Sequence, residues 1–228
     1  MEKSQAPINH LGFIVDGNRR WARAKNLPTI EGHRRGLKKV EKIIDAVAKR
    51  KIPFTSFYLF STENWNREEK EVTYLMNLLR KNLPRLTEKM QKNNLKCLIL
   101  GSDERVAPDL LAQLKSAESS TASCTGGAIC FCFNYGGHQE IADAAQKITR
   151  ENGDFSPENF TKHLYHPEVP PLDLIVRTSG EERISGFMLW RAAYAEFLFL
   201  EKFWPDIEPG DLDTILAEFS SRSRRFGK

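Results

Sequence analysis

The sequence has no apolar run approaching the ~20 residues that a membrane-crossing helix requires, so contact with a bilayer is expected to be peripheral at most. Its opening, MEKSQAPINH, lacks the apolar core of a secretory signal. Cysteine is scarce: Cys97, Cys124, Cys130 and Cys132 form no C-x-x-C pair and have no metal-ligand spacing with histidine. Three of them lie in or beside apolar runs, where cysteine behaves as a small hydrophobe. Reduced thiols and a cytoplasmic location, at the inner face of a membrane if at any membrane, are the expectation. No repeat, low-complexity stretch or internal linker stands out, and no Gly-x-x-x-x-Gly-Lys loop is present, which excludes a P-loop phosphotransferase. The imbalance of charge is small, 34 basic against 30 acidic residues. A net charge of +4 is too little, with no aromatic stacking platform, to suggest nucleic acid as a partner.

What is present is an ordinary globular composition, 40% hydrophobic and 28% charged over 228 residues. Short apolar or β-branched runs (Leu11–Val15, Phe54–Phe60, Leu95–Leu100, Ala128–Phe133, Leu172–Val176, Glu196–Leu200) alternate with stretches of helical periodicity. Leu37, Val40, Ile44 and Val47 share one helical face, as do Val72, Leu75, Met76, Leu79, Leu83 and Met90, with Pro84 expected to kink or break that helix. This alternation predicts an α/β fold: one domain over residues 1–228, a mainly parallel sheet of about six strands flanked by helices, and a flexible segment at 1–9.

In such sheets ligands bind beyond the carboxyl ends of the strands. Four expected strand exits carry polar groups: Asp16-Gly17-Asn18, Ser61-Thr62-Glu63-Asn64, Asn134-Tyr135-Gly136-Gly137 and Arg177-Thr178-Ser179-Gly180. Eight basic residues against one acid between Asn18 and Lys39, and a second basic group at Arg222, Arg224 and Arg225, suit an anion. Backbone N–H groups where Asp16-Gly17-Asn18 opens a helix, with Arg19 and Arg20, form a ready diphosphate site. An aspartate there cannot bind phosphate itself but can hold a cation between carboxylate and phosphate, and Mg²⁺ favours that arrangement. Taken alone, the same residues also read as an N-cap followed by solvated arginines. Trp21 and Trp65 also read as core, His33 as a helix-surface histidine and Glu196 as an edge charge. His138, His163 and His166 lack ligand-like spacing and read as structural.

The ensemble resembles the cis-prenyltransferases of the undecaprenyl diphosphate synthase family. The segments that carry the resemblance are, in order, His10-Leu11-Gly12-Phe13-Ile14-Val15-Asp16-Gly17-Asn18-Arg19-Arg20-Trp21-Ala22, Gly32-His33-Arg34-Arg35-Gly36, Phe60 to Arg67, Asn134-Tyr135-Gly136-Gly137, Asp173 to Ser185 with Phe187-Met188-Leu189-Trp190, Ala193-Tyr194-Ala195-Glu196, and Phe203-Trp204-Pro205. It extends to Arg225-Phe226-Gly227. The resemblance implies condensation of isopentenyl diphosphate with an allylic diphosphate (geranyl or farnesyl) to a Z-polyprenyl diphosphate, such as the undecaprenyl cell-wall lipid carrier. It implies Asp16 and Glu196 as Mg²⁺ ligands, and Gly17, Asn18, Arg19, Arg20, Trp21 and His33 around the allylic diphosphate. Arg177, Arg183, Ile184 and Ser185 would hold isopentenyl diphosphate. Ser61, Thr62, Glu63, Asn64, Trp65 and Arg67 would border the reacting carbons, with Asn64 catalytic. It implies a homodimer, its interface following the fifth strand, and peripheral membrane contact on product release.

Two departures stand out. Thr29 occupies a position where many family members carry a phosphate-contacting arginine, so affinity is expected to rest more on Arg19 or Arg23. Leu59 is bulky where long-chain enzymes often carry a small residue. Strand alternation would aim Leu59 and Phe57 into the product tunnel with Ser61, with opposing walls among the small Cys130 and Cys132 and the larger Phe131 and Phe133, and a product shorter than undecaprenyl is expected. A non-catalytic subunit would be expected to lose the Asp-Gly-Asn or Arg-containing segment, and both are intact.

Overall fold

The computed structural model describes residues 7–222, so Arg224, Arg225 and positions 1–6 of the expected flexible segment lie outside the described residues. Six strands form one sheet: β1 (His10–Ile14), β2 (Phe54–Ser61), β3 (Lys96–Leu100), β4 (Ala128–Tyr135), β5 (Leu174–Thr178) and β6 (Glu196–Leu200). Their order is β3-β4-β2-β1-β5-β6, and all five pairings are parallel. The helices are α1 (Asn18–Ala24), α2 (Thr29–Lys49), α3 (Glu69–Lys92), α4 (Pro108–Thr121), α5 (Gly137–Arg150), α6 (Pro157–His163) and α7 (Asp211–Ser221). The expected α/β class and strand number are met, with the sheet wholly rather than mainly parallel.

Strands covered on both faces read as near-continuous apolar runs, which is why β1, β4 and β5 are buried at every residue. On one face Phe13, Phe57 and Phe131 pack with the buried stripes of α2, α3, α4 and α7 and with Trp204. Phe13 stacks on Phe57 at 5.5 Å between ring centroids, and the Trp204 indole donates to the Gly36 carbonyl of α2 at 2.9 Å. On the other face Cys130, Cys132 and Ile175 pack with Phe187, Met188 and Ala192.

The structure departs from the sequence pattern mainly at polar strand ends. β4 runs two residues beyond the expected Phe133 because Asn134 and Tyr135 are buried and partnered: Asn134 Nδ2 donates to the Ser102 and Glu104 carbonyls, and the Tyr135 hydroxyl donates to Glu140. α3 is not broken at Pro84 but continues to Lys92, its buried Leu83 and Leu86 holding it against the sheet. The short α6 has no counterpart in the apolar periodicity; Ser156 caps it, accepting from the Asn159 amide at 3.3 Å.

After β1 the chain adds β2, β4 and β3 on one side, and only later β5 and β6 on the other. The exit of β1 is therefore a topological switch point, where a crevice opens beyond the strands' carboxyl ends.

Candidate active site

A cleft of about 840 Å³ lies at that edge, lined by residues from the exits of β1, β2 and β5 and from α1, α2 and α3. The size is within the ordinary range for a small-molecule site. Gly17 turns the chain into α1 at φ +97°, and a Cβ there would sit 2.8–2.9 Å from Phe203 and Ser179, so only glycine fits. The turn gives α1 its N-cap without a side-chain cap, and the Asp16 carboxylate lines the cleft with Oδ1 accepting from the Gly17 amide at 2.6 Å. Gly32 brings α2 onto α1, since a Cβ would lie 1.9 Å from the Asn18 carbonyl oxygen. α1 has only seven residues, so positive potential in the cleft comes chiefly from side chains.

The cleft arginines Arg19, Arg20, Arg67 and Arg177 each meet an acid of the chain. Asp16 Oδ2 accepts from Arg177 Nη2 at 2.9 Å and lies 3.5 Å from Arg20 Nη2. Arg177 is buried; it also donates to the Ser185 hydroxyl at 2.9 Å and to the Arg183 carbonyl, and its Nε has no partner. Arg20 reaches Glu181 at 2.7 Å, and Arg183 pairs with the same carboxylate. Glu71, in the first turn of α3, collects Arg67, His33 and Arg19. Burial works to raise the Glu71 carboxyl, but Arg67, His33 and Arg19 outweigh it and hold it below the usual carboxylate range. Burial lowers the His33 imidazole below its ordinary value despite the Glu71 hydrogen bond. His33 is therefore neutral near pH 7, and its Nε2 carries the hydrogen donated to Glu71.

Of the residues expected at the site, Asp16, Gly17, Asn18, Arg19, Arg20, His33, Ser61, Glu63, Asn64, Arg67, Arg177 and Ser185 line this cleft. Trp21, Thr62, Trp65, Arg183, Ile184 and Glu196 are not among its lining. The Trp21 indole donates to Asp206 at 2.7 Å and that of Trp65 to Asn134 at 2.7 Å. Ile184 packs against the second core, and the Arg183 side chain is 59% exposed. Glu196 pairs with Leu174 at the start of β5, which pairs in turn with Leu11 of β1. It therefore lies at the opposite end of the sheet from Asp16, roughly five residues or ~16 Å of strand away, and its carboxylate meets Arg222 at 3.2 Å. Asp16 and Glu196 of one chain do not share a metal. Among the described residues no group of three or more His, Cys, Asp or Glu could hold one.

His138, read from sequence as structural, lines the cleft, as do Arg23 and Tyr58, whereas Thr29, the first residue of α2, does not. Glu71 escapes the sequence reading, although its position four residues after Arg67 is a signal for an ion pair. Asn64 Oδ1 accepts from the Ser61 amide at 3.2 Å in a reciprocal cap of the 3-10 turn Thr62–Asn66.

Adjoining the cleft, and sharing Val15, Asn18, His33, Leu59 and Leu75 with it, is a narrower apolar cavity of about 70 Å³ between the sheet, α2 and α3. Simple alternation fails here. Pairing of β2 with β4 shifts between Tyr58 and Phe60 and again at Ser61, so Leu59 and Phe60 both line the cavity. Phe57 belongs to the core, and Cys130 and Cys132 face the other side of the sheet. Phe133 supplies the opposing wall.

A parallel α/β sheet with a cationic cleft at its switch point, opening into an apolar cavity, defines a protein built for an anion joined to a hydrocarbon. The chain belongs to the family described as "Putative undecaprenyl diphosphate synthase", which its residues 14–227 match. The expected prenyl-transferring enzyme is borne out with the family. The isoprenyl transferase of Neisseria gonorrhoeae is 40% identical over 220 residues, covering 96% of this chain and 89% of that protein. A ditrans,polycis-undecaprenyl-diphosphate synthase, (2E,6E)-farnesyl-diphosphate specific, of Vibrio vulnificus is 42% identical over 225 residues, 96% of this chain and 90% of its own. The crystal structure of lavandulyl diphosphate synthase from Lavandula x intermedia, in complex with dimethylallyl diphosphate, superposes with a TM-score of 0.92 at 30% identity, covering 97% of this chain and 98% of that one.

Proposed function

We propose that the protein condenses isopentenyl diphosphate with an allylic diphosphate, geranyl or farnesyl, and repeats the step to give a Z-polyprenyl diphosphate. The observation that carries this reading is the contiguity of the Asp16–Arg20–Arg177 cleft with the apolar cavity behind Leu59. Arg19, Arg20 and Arg23 hold the allylic diphosphate, with the neutral His33, bonded to Glu71, beside it. Arg177 and Ser185 hold the second diphosphate, and Arg183 reaches it from the rim. Asp16 fits Mg²⁺, because that ion takes one or two carboxylates and completes its shell with phosphate and water. When bound, the ion stabilises the negative charge that grows on the departing diphosphate. Asp16 orients it, and the arginines meet the same charge where it develops. The allylic carbon becomes electrophilic, the double bond of isopentenyl diphosphate attacks it, and a proton is lost. Asn64 is a positioning group in that loss: an amide is a poor base, and its oxygen is already engaged by Ser61. A diphosphate oxygen or water takes the proton.

We propose further that residues 1–228 work as one cytoplasmic unit, homodimeric through the edge strand β6. The exposure of Tyr194 (75%) and Phe197 (37%) beside that edge supports this. Among the described residues no helix is long and apolar enough to cross a membrane, and the product's hydrocarbon makes peripheral membrane contact at release the natural route.

The experiment is incubation of the purified protein with isopentenyl diphosphate, geranyl or farnesyl diphosphate and Mg²⁺, followed by chromatographic sizing. Z-polyprenyl products are expected with either primer; absence of any elongation would refute the reading. The narrow cavity supports a product shorter than undecaprenyl. Leu59→Ala removes the wall next to Phe60, so its products are expected to be longer by one or more five-carbon units. Identical product lengths in the two proteins would show that Leu59 does not limit the chain.

A further inference from the structure

In the cleft, two arginines and a neutral histidine from three different elements converge on one carboxylate. Arg67, at the end of the 3-10 turn, and His33 of α2 each place a nitrogen 3.0 Å from Glu71 Oε1; Arg19 of α1 has Nη1 3.9 Å from Oε2. All three basic residues line the cleft, while Glu71 is not among its lining and its side chain is only 14% exposed. The carboxylate therefore stands behind the basic groups, on the side away from an incoming diphosphate. Its place in the first turn of the 24-residue α3 favours its charged form, and the lowered carboxyl pKa agrees.

We propose that Glu71 is a resident counter-anion that holds Arg19, His33 and Arg67 when no diphosphate is bound, and takes them back as inorganic pyrophosphate leaves. This rests on the proposed elongation reaction. Each condensation leaves a multiply charged pyrophosphate in the cleft, and it must depart before the next allylic diphosphate is seated. A cluster of basic groups without an internal partner would retain it. A fixed negative charge a few ångströms behind that cluster weakens the hold and keeps the side chains in place between cycles. Glu71 is thus a positioning residue whose signature is in the release of pyrophosphate.

The test is calorimetric titration of the full-length protein with inorganic pyrophosphate, alongside steady-state kinetics, for wild type, Glu71→Gln and Glu71→Asp. One charge at this distance from a multivalent anion, at the effective dielectric of a partly buried site, changes affinity by at least about tenfold. Glu71→Gln is expected to bind pyrophosphate at least about tenfold more tightly and to lose kcat as release becomes limiting. Glu71→Asp keeps the charge and is expected within about threefold of wild type on both measures. Should Glu71→Gln not fold, Glu71→Met fills similar volume without charge and is read the same way. Unchanged or weaker pyrophosphate binding by the uncharged variant overturns the proposal. A wild-type protein that neither binds pyrophosphate nor elongates overturns the proposed function itself. One that does both, while its uncharged variant binds pyrophosphate no more tightly, overturns the counter-anion role alone.

Discussion

Asp16→Asn is expected to lower kcat about 10²–10³-fold while leaving the KM of both diphosphates within about threefold. That magnitude is typical when a group stabilising transition-state charge is removed. The split follows from where the charge arises. Asp16 repels phosphate, so it adds nothing to ground-state binding of the anion; its use is to orient the metal on which leaving-group charge accumulates. Asparagine is the informative replacement because Arg177 is buried and donates to this side chain at 2.9 Å. Alanine would leave Nη2 of a buried guanidinium without that acceptor and mix a folding defect into the kinetics. Steady-state rates over a range of each substrate decide the matter, with a thermal melt to show that the variant is folded. Equal losses in kcat and in binding would contradict the role given to Asp16.

Glu140→Gln is expected to cost about 3–5 kcal/mol of stability, the penalty for breaking a buried ion pair by removing one partner's charge. Glu140 and Arg191 are 1% and 3% exposed, and Arg191 Nη1 donates to Glu140 Oε1 at 2.8 Å. The same carboxylate takes the Tyr165 amide at 3.1 Å and the Tyr135 hydroxyl. Arg191 meanwhile donates to the Val169, Tyr165 and His166 carbonyls, so the pair ties α5 and two loops into one unit. Glutamine keeps the shape and loses the charge, leaving Arg191 cationic in a site closed to solvent. Glu151→Gln provides the contrast. Its ion pair with His163 is exposed on the Glu151 side, and water and salt screen such pairs until they add little to stability. Denaturant midpoints of the three proteins measure both effects, and a Glu140→Gln protein as stable as Glu151→Gln would show that burial does not govern this pair. Because α5 begins at Gly137, whose amide donates to the Gly186 carbonyl next to Ser185, the loosened variant is also expected to hold the second diphosphate less well.

The strands were legible because the inner strands of a parallel sheet, buried on both faces, need apolar residues at nearly every position, and six largely apolar runs are visible without knowing how they pair. The gathering of an acid and arginines at the exits of β1 and β5 was equally legible, since Asp16, Arg19, Arg20 and Arg177 lie within a few residues of strand ends and the strand direction aims those ends at one edge. Where a polar residue finds a partner far along the chain, local pattern misleads. Asn134 and Tyr135 look like a loop until Ser102, Glu104 and Glu140 are seen to satisfy them. The partners of the Trp21 and Trp65 indoles, Asp206 and Asn134, likewise lie far along the chain.

The sequence by itself determined the α/β class, the edge on which the polar strand exits gather and the family, because these depend on local periodicity and on residues clustered around single strand ends. Only the tertiary structure decided which of those residues share the cleft. It separated Glu196 from Asp16 by the length of a strand, turned Leu59 and Phe60 together into the apolar cavity through a register shift, and brought Glu71 behind Arg19, His33 and Arg67. Each outcome follows from strand register or helix packing between segments distant in the chain, and none is encoded in the spacing of neighbouring residues.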